Sequence, residues 1–130
     1  MVTDSAVKKC RVLVVDDEPL LADSLCQILK MFGYQATVAY GPTQALEFMR
    51  THGPCEVVIS DVVMIGDMSG IDLAIQLNTL LPDCKVLLMS GNNSTAELLK
   101  IAQQKGHTFD VLAKPVHPTE ILERLKTMMA

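Results

Sequence analysis

Val12-Leu13-Val14-Val15-Asp16-Asp17-Glu18-Pro19 is the stretch whose reading decides the fold. Four aliphatic residues in a row leave no polar face, so the strand they form is buried on both sides within a parallel sheet. Two adjacent carboxylates end that strand. Pro19 then suits the first turn of a helix, where its missing N–H has no intrahelical partner to lose. Acids at this point have left the sheet and entered the crevice where open α/β folds hold ligands. Side by side they repel, and a hard divalent cation with oxygen ligands relieves the repulsion.

The same design returns at Glu56-Val57-Val58-Ile59-Ser60-Asp61, again an apolar strand closed by an acid. Between the two acids, Leu20, Leu21, Ser24, Leu25, Ile28, Leu29 and Phe32 recur at helical spacing as far as Gly33, which stops the helix. Tyr34 to Ala39 alternates as a short edge-side strand. Gly41-Pro42-Thr43 opens a second helix with Ala45, Leu46, Phe48 and Met49 inward, ended by His52-Gly53-Pro54. Beyond Asp61, a loop from Val62 to Ser69 leads to a helix carrying Ile71, Ala74, Leu77 and Leu81, closed before Pro82. Lys85 to Met89 is a fourth strand, followed by Ser90-Gly91-Asn92-Asn93. Asn93 or Ser94 caps a helix that runs to Lys105 and stops at Gly106. Phe109 to Ala113 is a fifth strand, then Lys114-Pro115. Near Pro118 a last helix begins, with Ile121, Leu122, Leu125, Met128 and Met129 on its inner face.

Five alternations of strand and helix, without repeats or an internal linker, predict an α/β fold. The expected form is a flavodoxin-like, doubly wound, five-stranded parallel sheet in the order 2-1-3-4-5, flanked by five helices. Parallel strands end at one edge, so Asp16, Asp17, Asp61, Ser90 and Lys114 should share a crevice. The strand-and-helix alternation itself does not require polar residues at all of these ends.

The totals agree with a single domain spanning 1–130. The chain has 130 residues, 49% of them hydrophobic and 20% charged, which excludes disorder. A net charge of −4 argues against direct nucleic-acid binding, which needs clustered Lys and Arg. No apolar run approaches the roughly 20 residues of a membrane span, and no signal-peptide core is visible, so a soluble intracellular protein with no membrane partner is expected. Cys10, Cys26, Cys55 and Cys84 lack C-x-x-C spacing and read as reduced thiols. His52, His107 and His117 also lack metal-ligand spacing.

Three carboxylates, one hydroxyl and one ammonium form a coherent set for phosphoryl transfer, which depends mainly on positioning and on neutralising charge. Mg²⁺ (or Mn²⁺) held by one or two acids can bridge a phosphoryl oxygen. A lysine supplies a compact cation and a serine hydroxyl a further donor. The remaining acid can serve as nucleophile, giving an aspartyl phosphate.

On these residues, from about Arg11 to Met129, the chain resembles the receiver domain of bacterial two-component response regulators, including the single-domain chemotaxis-type regulators. The resemblance implies a cytoplasmic phosphoprotein for signal transduction, not an enzyme, with Asp61 accepting a phosphoryl group from a sensor histidine kinase or histidine phosphotransfer protein. It implies that Asp16, Asp17 and Asp61 hold Mg²⁺, joined by the backbone carbonyl of Val63. By the same resemblance Lys114 pairs with Asp61 or its phosphoryl group, Ser90 moves to that group on activation, and the Lys114–Pro115 bond is cis. No output domain is expected, and the downstream protein partner is left open.

The chain departs from the family pattern at Val111 and in the loop after Asp61. Val111 stands where the family usually has an aromatic residue, three before the lysine. The loop after Asp61 lacks the common Met-Pro, since Met64 precedes Ile65, and its glycine, Gly70, falls nine rather than eight positions after the acid. Asp67 in that loop reads as a solvated turn acid. Val63 and Asn92 flank the expected water path to the phosphoryl group. In the absence of the aromatic, shifts near Asn92 to Lys105 are expected to carry the signal.

Two other classes stay open at this point. An aspartyl-nucleophile phosphohydrolase would usually carry two acids spaced two apart after one strand, which Asp16-Asp17 does not match. A receiver-like docking module would keep the fold without being phosphorylated.

Overall fold

The computed structural model describes residues 10–64, 66, 68–91 and 94–129. Five strands alternate with five helices: β1 (Arg11–Val15), α1 (Pro19–Met31), β2 (Gln35–Ala39), α2 (Pro42–His52), β3 (Val57–Asp61), α3 (Gly70–Leu80), β4 (Lys85–Ser90), α4 (Ser94–Gln104), β5 (Asp110–Ala113) and α5 (Pro118–Met129). All pairings are parallel, and the order is β2-β1-β3-β4-β5, as the alternation predicted. Element ends fall within a residue or so of those expected from the sequence. The expected cap at Asn93 or Ser94 lies outside the described residues and side chains, as do Asp67 and Asn92.

Strand side chains alternate between two cores, which explains why the central strands have no polar face. Leu13, Val15, Val58, Val86 and Leu88 meet α2, α3 and α4 through Ala45, Met49, Leu73, Leu77 and Ala102. On the opposite face, Val12, Val14, Ile59, Leu87 and Leu112 meet α1 and α5 through Ala22, Cys26, Leu29, Ile121 and Leu125. Helices thus cover both faces, leaving the carboxyl edge of the sheet open.

The inner face of α1 keeps Leu29 and Leu25 of the expected set but not Leu20, Leu21 or Phe32. Leu20, Leu21 and Phe32 are 83%, 52% and 63% exposed, whereas Ala22, Cys26 and Leu29 are buried. Small Ala22 and Cys26 belong to the buried stripe of the helix, which turns the bulkier leucines outward. Leu21, Leu25 and Ile28 line a groove of about 640 Å³ between α1 and α5 instead. Met129, expected inward, is also exposed at the end of α5. Helix ends follow the glycines: Gly33 and Gly106 take φ of 93° and 90°, a left-handed backbone that costs glycine little. All four cysteines are free. Among the described residues no helix is long and apolar enough to cross a membrane.

Candidate functional site

Register brings the acids together. Val15 pairs with Ser60, so the next residues, Asp16 and Asp61, leave the sheet side by side. Both are nearly sealed from solvent, at 3% and 5% exposure, and Asp17 is half-buried beside them. One carboxylate oxygen from each of Asp16, Asp17 and Asp61 lies within 4.8 Å of the other two. Lys114, just past β5, sends its Nζ to 2.9 Å from Asp61 Oδ2. The Lys114–Pro115 peptide is cis, as the family resemblance implied.

The electrostatics follow from this crowding. Burial raises the pKa of Asp16, and the nearby Asp61 charge adds to the rise, while the Glu18 backbone N–H, donating to Asp16 Oδ1 at 2.9 Å, and Lys114 oppose it. Burial disfavours the Lys114 ammonium, but the hydrogen bond and charge of Asp61 outweigh it, leaving the Lys114 pKa raised. Three carboxylates converge here, and Lys114 pairs directly with that of Asp61. A hard divalent cation fits that donor set, because Mg²⁺ takes one or two carboxylates and keeps several waters.

The other expected residues sit at the same edge in different ways. Ser90 ends β4, half-buried, opposite Ala113, and its carbonyl accepts the Lys114 backbone N–H at 2.7 Å. Its hydroxyl makes no hydrogen bond among the described residues. Val63 lies two residues past Asp61 with its side chain 54% exposed; its isopropyl group has no donor atom, so its backbone carbonyl is all it offers a cation. Val111 is half-buried against the α2–α4 core, as is Phe109, whose ring stacks on His107. Ser60 was not singled out from the sequence. It is fully buried, and its Oγ donates to the Asp61 carbonyl at 2.9 Å. A lone hydroxyl inside an otherwise aliphatic strand was the available signal.

A parallel five-stranded sheet of this order, with an acid triad and a lysine at its carboxyl edge, defines a receiver-type architecture. The profile described as "Response regulator receiver domain" matches residues 12–126, and the chain belongs to that family. It is 34% identical over 118 residues to the "Probable transcriptional regulatory protein TcrX" of Mycobacterium tuberculosis, covering 91% of this chain and 49% of the relative. The chain thus spans about half the length of the curated relatives it matches. A CheY-like receiver domain protein from Methanospirillum hungatei superimposes with a TM-score of 0.81 at 26% identity, covering 93% of this chain and 94% of that one. A two-component transcriptional regulator from Clostridium phytofermentans gives 0.79 at 33% identity, covering 93% of each chain. The chain is a two-component receiver.

Proposed function

We propose that Asp61 is the phosphoacceptor of a receiver that takes its phosphoryl group from a sensor histidine kinase or a histidine phosphotransfer protein. The observation that carries this is the pairing of Lys114 Nζ with Asp61 Oδ2 at 2.9 Å beside the carboxylates of Asp16 and Asp17. The Asp61 oxygen attacks phosphorus and the bond to the donor histidine breaks. Lys114 passes from the carboxylate to a phosphoryl oxygen, and Ser90 donates to another. Asp16 and Asp17, with Asp61 and the Val63 carbonyl, would hold Mg²⁺ or Mn²⁺. When bound, the cation neutralises charge on the transferring group.

The outcome is a switch, not turnover of a substrate: the protein is a cytoplasmic phosphoprotein that changes affinity for a downstream partner. Coupling of this kind is typically worth about 1–3 kcal/mol, or about 5–150-fold. Residues 1–130 act as one receiver domain.

Incubation with acetyl phosphate and Mg²⁺ tests the reading. Wild-type protein should gain one phosphoryl group by intact mass, and Asp61→Asn should gain none. Labelling of both alike, or of neither, would reject Asp61 as the acceptor. Steady release of phosphate from an ester by the pure protein would favour the phosphohydrolase instead.

A further inference from the structure

Gly70 opens α3, nine positions after Asp61. It is not among the glycines with positive φ, so its backbone conformation would suit any residue. Space is what demands glycine. A Cβ at Gly70 would stand 2.0 Å from the Asp61 carbonyl oxygen, 2.9 Å from its carbonyl carbon and 2.9 Å from Val62 Cα. Real Cβ atoms essentially never come under 3.0 Å, and all three neighbours are backbone, which cannot swing aside as a side chain can. Gly33, Gly41, Gly66 and Gly106 have nothing within 4 Å of the same position.

The contact is held from every side. Gly70 N–H donates to the Val62 carbonyl at 2.8 Å, and Val62 N–H donates to the Met89 carbonyl at 3.0 Å. Ser60 Oγ donates to the Asp61 carbonyl. Helix α3 is fixed by the Ser69–Asp72 capping box and by Ile71, Leu73 and Ala74 in the core. An added methyl therefore cannot be relieved by sliding α3 away without unpacking it. The Asp61–Val62 peptide must yield, by about an ångström, since 2.0 Å has to become at least 3.0 Å.

We propose that Gly70 is a positioning residue for Asp61: its bare Cα lets the start of α3 press on the Asp61 carbonyl, fixing where the Asp61 carboxylate points relative to Lys114 and the other acids. The proposal rests on Asp61 being the phosphoacceptor.

The test compares Gly70→Ala with Ser69→Ala. The second removes the α3 cap at the adjacent residue but adds nothing against Asp61. Three quantities are read in each: thermal stability, Mg²⁺ affinity by NMR titration, and the rate of Asp61 labelling by acetyl phosphate. Both variants should lose stability. Only Gly70→Ala should lose labelling, by roughly tenfold or more, because misplacement of about an ångström can cost up to about a hundredfold. Its Mg²⁺ affinity should fall as well. Wild-type labelling and Mg²⁺ affinity in Gly70→Ala would overturn the proposal while leaving Asp61 as acceptor, and so would equal losses in Ser69→Ala. If wild type itself takes no label, the acceptor reading fails and the Mg²⁺ comparison alone decides. Should Gly70→Ala not fold, the wild-type Gly70 amide resonance should shift on Mg²⁺ addition while Gly33 and Gly106 stay put. An unmoved Gly70 resonance would overturn the proposal.

Discussion

Lys114 Nζ reaches Asp61 Oδ2 at 2.9 Å although their strands, β5 and β3, are separated by β4. The ion pair therefore arches over the end of β4, where Ser90 lies. Replacing Lys114 with alanine removes the ammonium that offsets the Asp61 and Asp16 carboxylates. Metal-free Lys114→Ala should melt below wild type. It should also bind Mg²⁺ more tightly, because no resident cation competes for Asp61. Melting curves in chelator and in graded Mg²⁺ read both effects, and at about a hundredfold excess over Kd the metal adds about 2.7 kcal/mol. Weaker Mg²⁺ stabilisation in the variant would count against the shared-site geometry.

Ser90 should separate metal binding from phosphoryl binding. Its hydroxyl has no partner among the described residues, so Ser90→Ala should break no hydrogen bond between them. Mg²⁺ affinity should match wild type, whereas retention of a beryllofluoride phosphoryl mimic should fall. A hydrogen bond to a charged group is worth about 1.5–3 kcal/mol, or about 10–150-fold. Fluorine NMR of the complex gives the ratio, and unchanged retention would remove Ser90 from the phosphoryl shell.

Leu88 lies at the middle of β4, with no exposed surface, in the core beneath α2–α4. Leu88→Ala should cost about 2–5 kcal/mol in urea denaturation, from lost transfer energy and the cavity left behind. A loss below 1 kcal/mol, on the order of an exposed-site change, would mean that this core is not packed as described.

The cysteines fix a pH dependence. Burial pushes the Cys84 thiol up to about 12, with Cys55 nearby adding to it, and burial pushes Cys10 up to about 11, against an ordinary value of 9.0. The folded state holds these protons more tightly than the unfolded chain. Their contribution is therefore intact below about pH 9 and lost as pH climbs from there through the folded values. Stability by urea titration should be flat near pH 8 and fall at pH 10 and above, less steeply in Cys84→Ala. At pH 8, Cys55 and Cys84, both 4% exposed, should resist alkylation until the protein is unfolded. Rapid native-state alkylation of either would contradict their burial.

Unbroken runs of Val, Leu and Ile ending in Asp16 and Asp61 made the parallel sheet and its loaded edge legible from the chain alone, since short strands apolar on both faces belong between two layers of helices. Helix orientation was less legible. The apolar positions of α1 form two adjacent stripes, and only packing against the sheet selects Ala22-Cys26-Leu29 over the larger leucines. Gly70 could be read as a late glycine but not as a contact of the Asp61 carbonyl, because close backbone approach between distant segments leaves no periodic trace. Ser60 was hidden for a related reason: a hydroxyl that caps its neighbour's carbonyl looks like any polar interruption of a strand.

The covalent claim is tested most directly by borohydride trapping. Protein treated with acetyl phosphate and Mg²⁺ is reduced, which converts an aspartyl phosphate to homoserine, and the peptides are then sequenced by mass spectrometry. Homoserine at position 61, dependent on Mg²⁺ and absent when the phosphodonor is omitted, is the expected result. Aspartate surviving unreduced at 61, with the label elsewhere or nowhere, would contradict it.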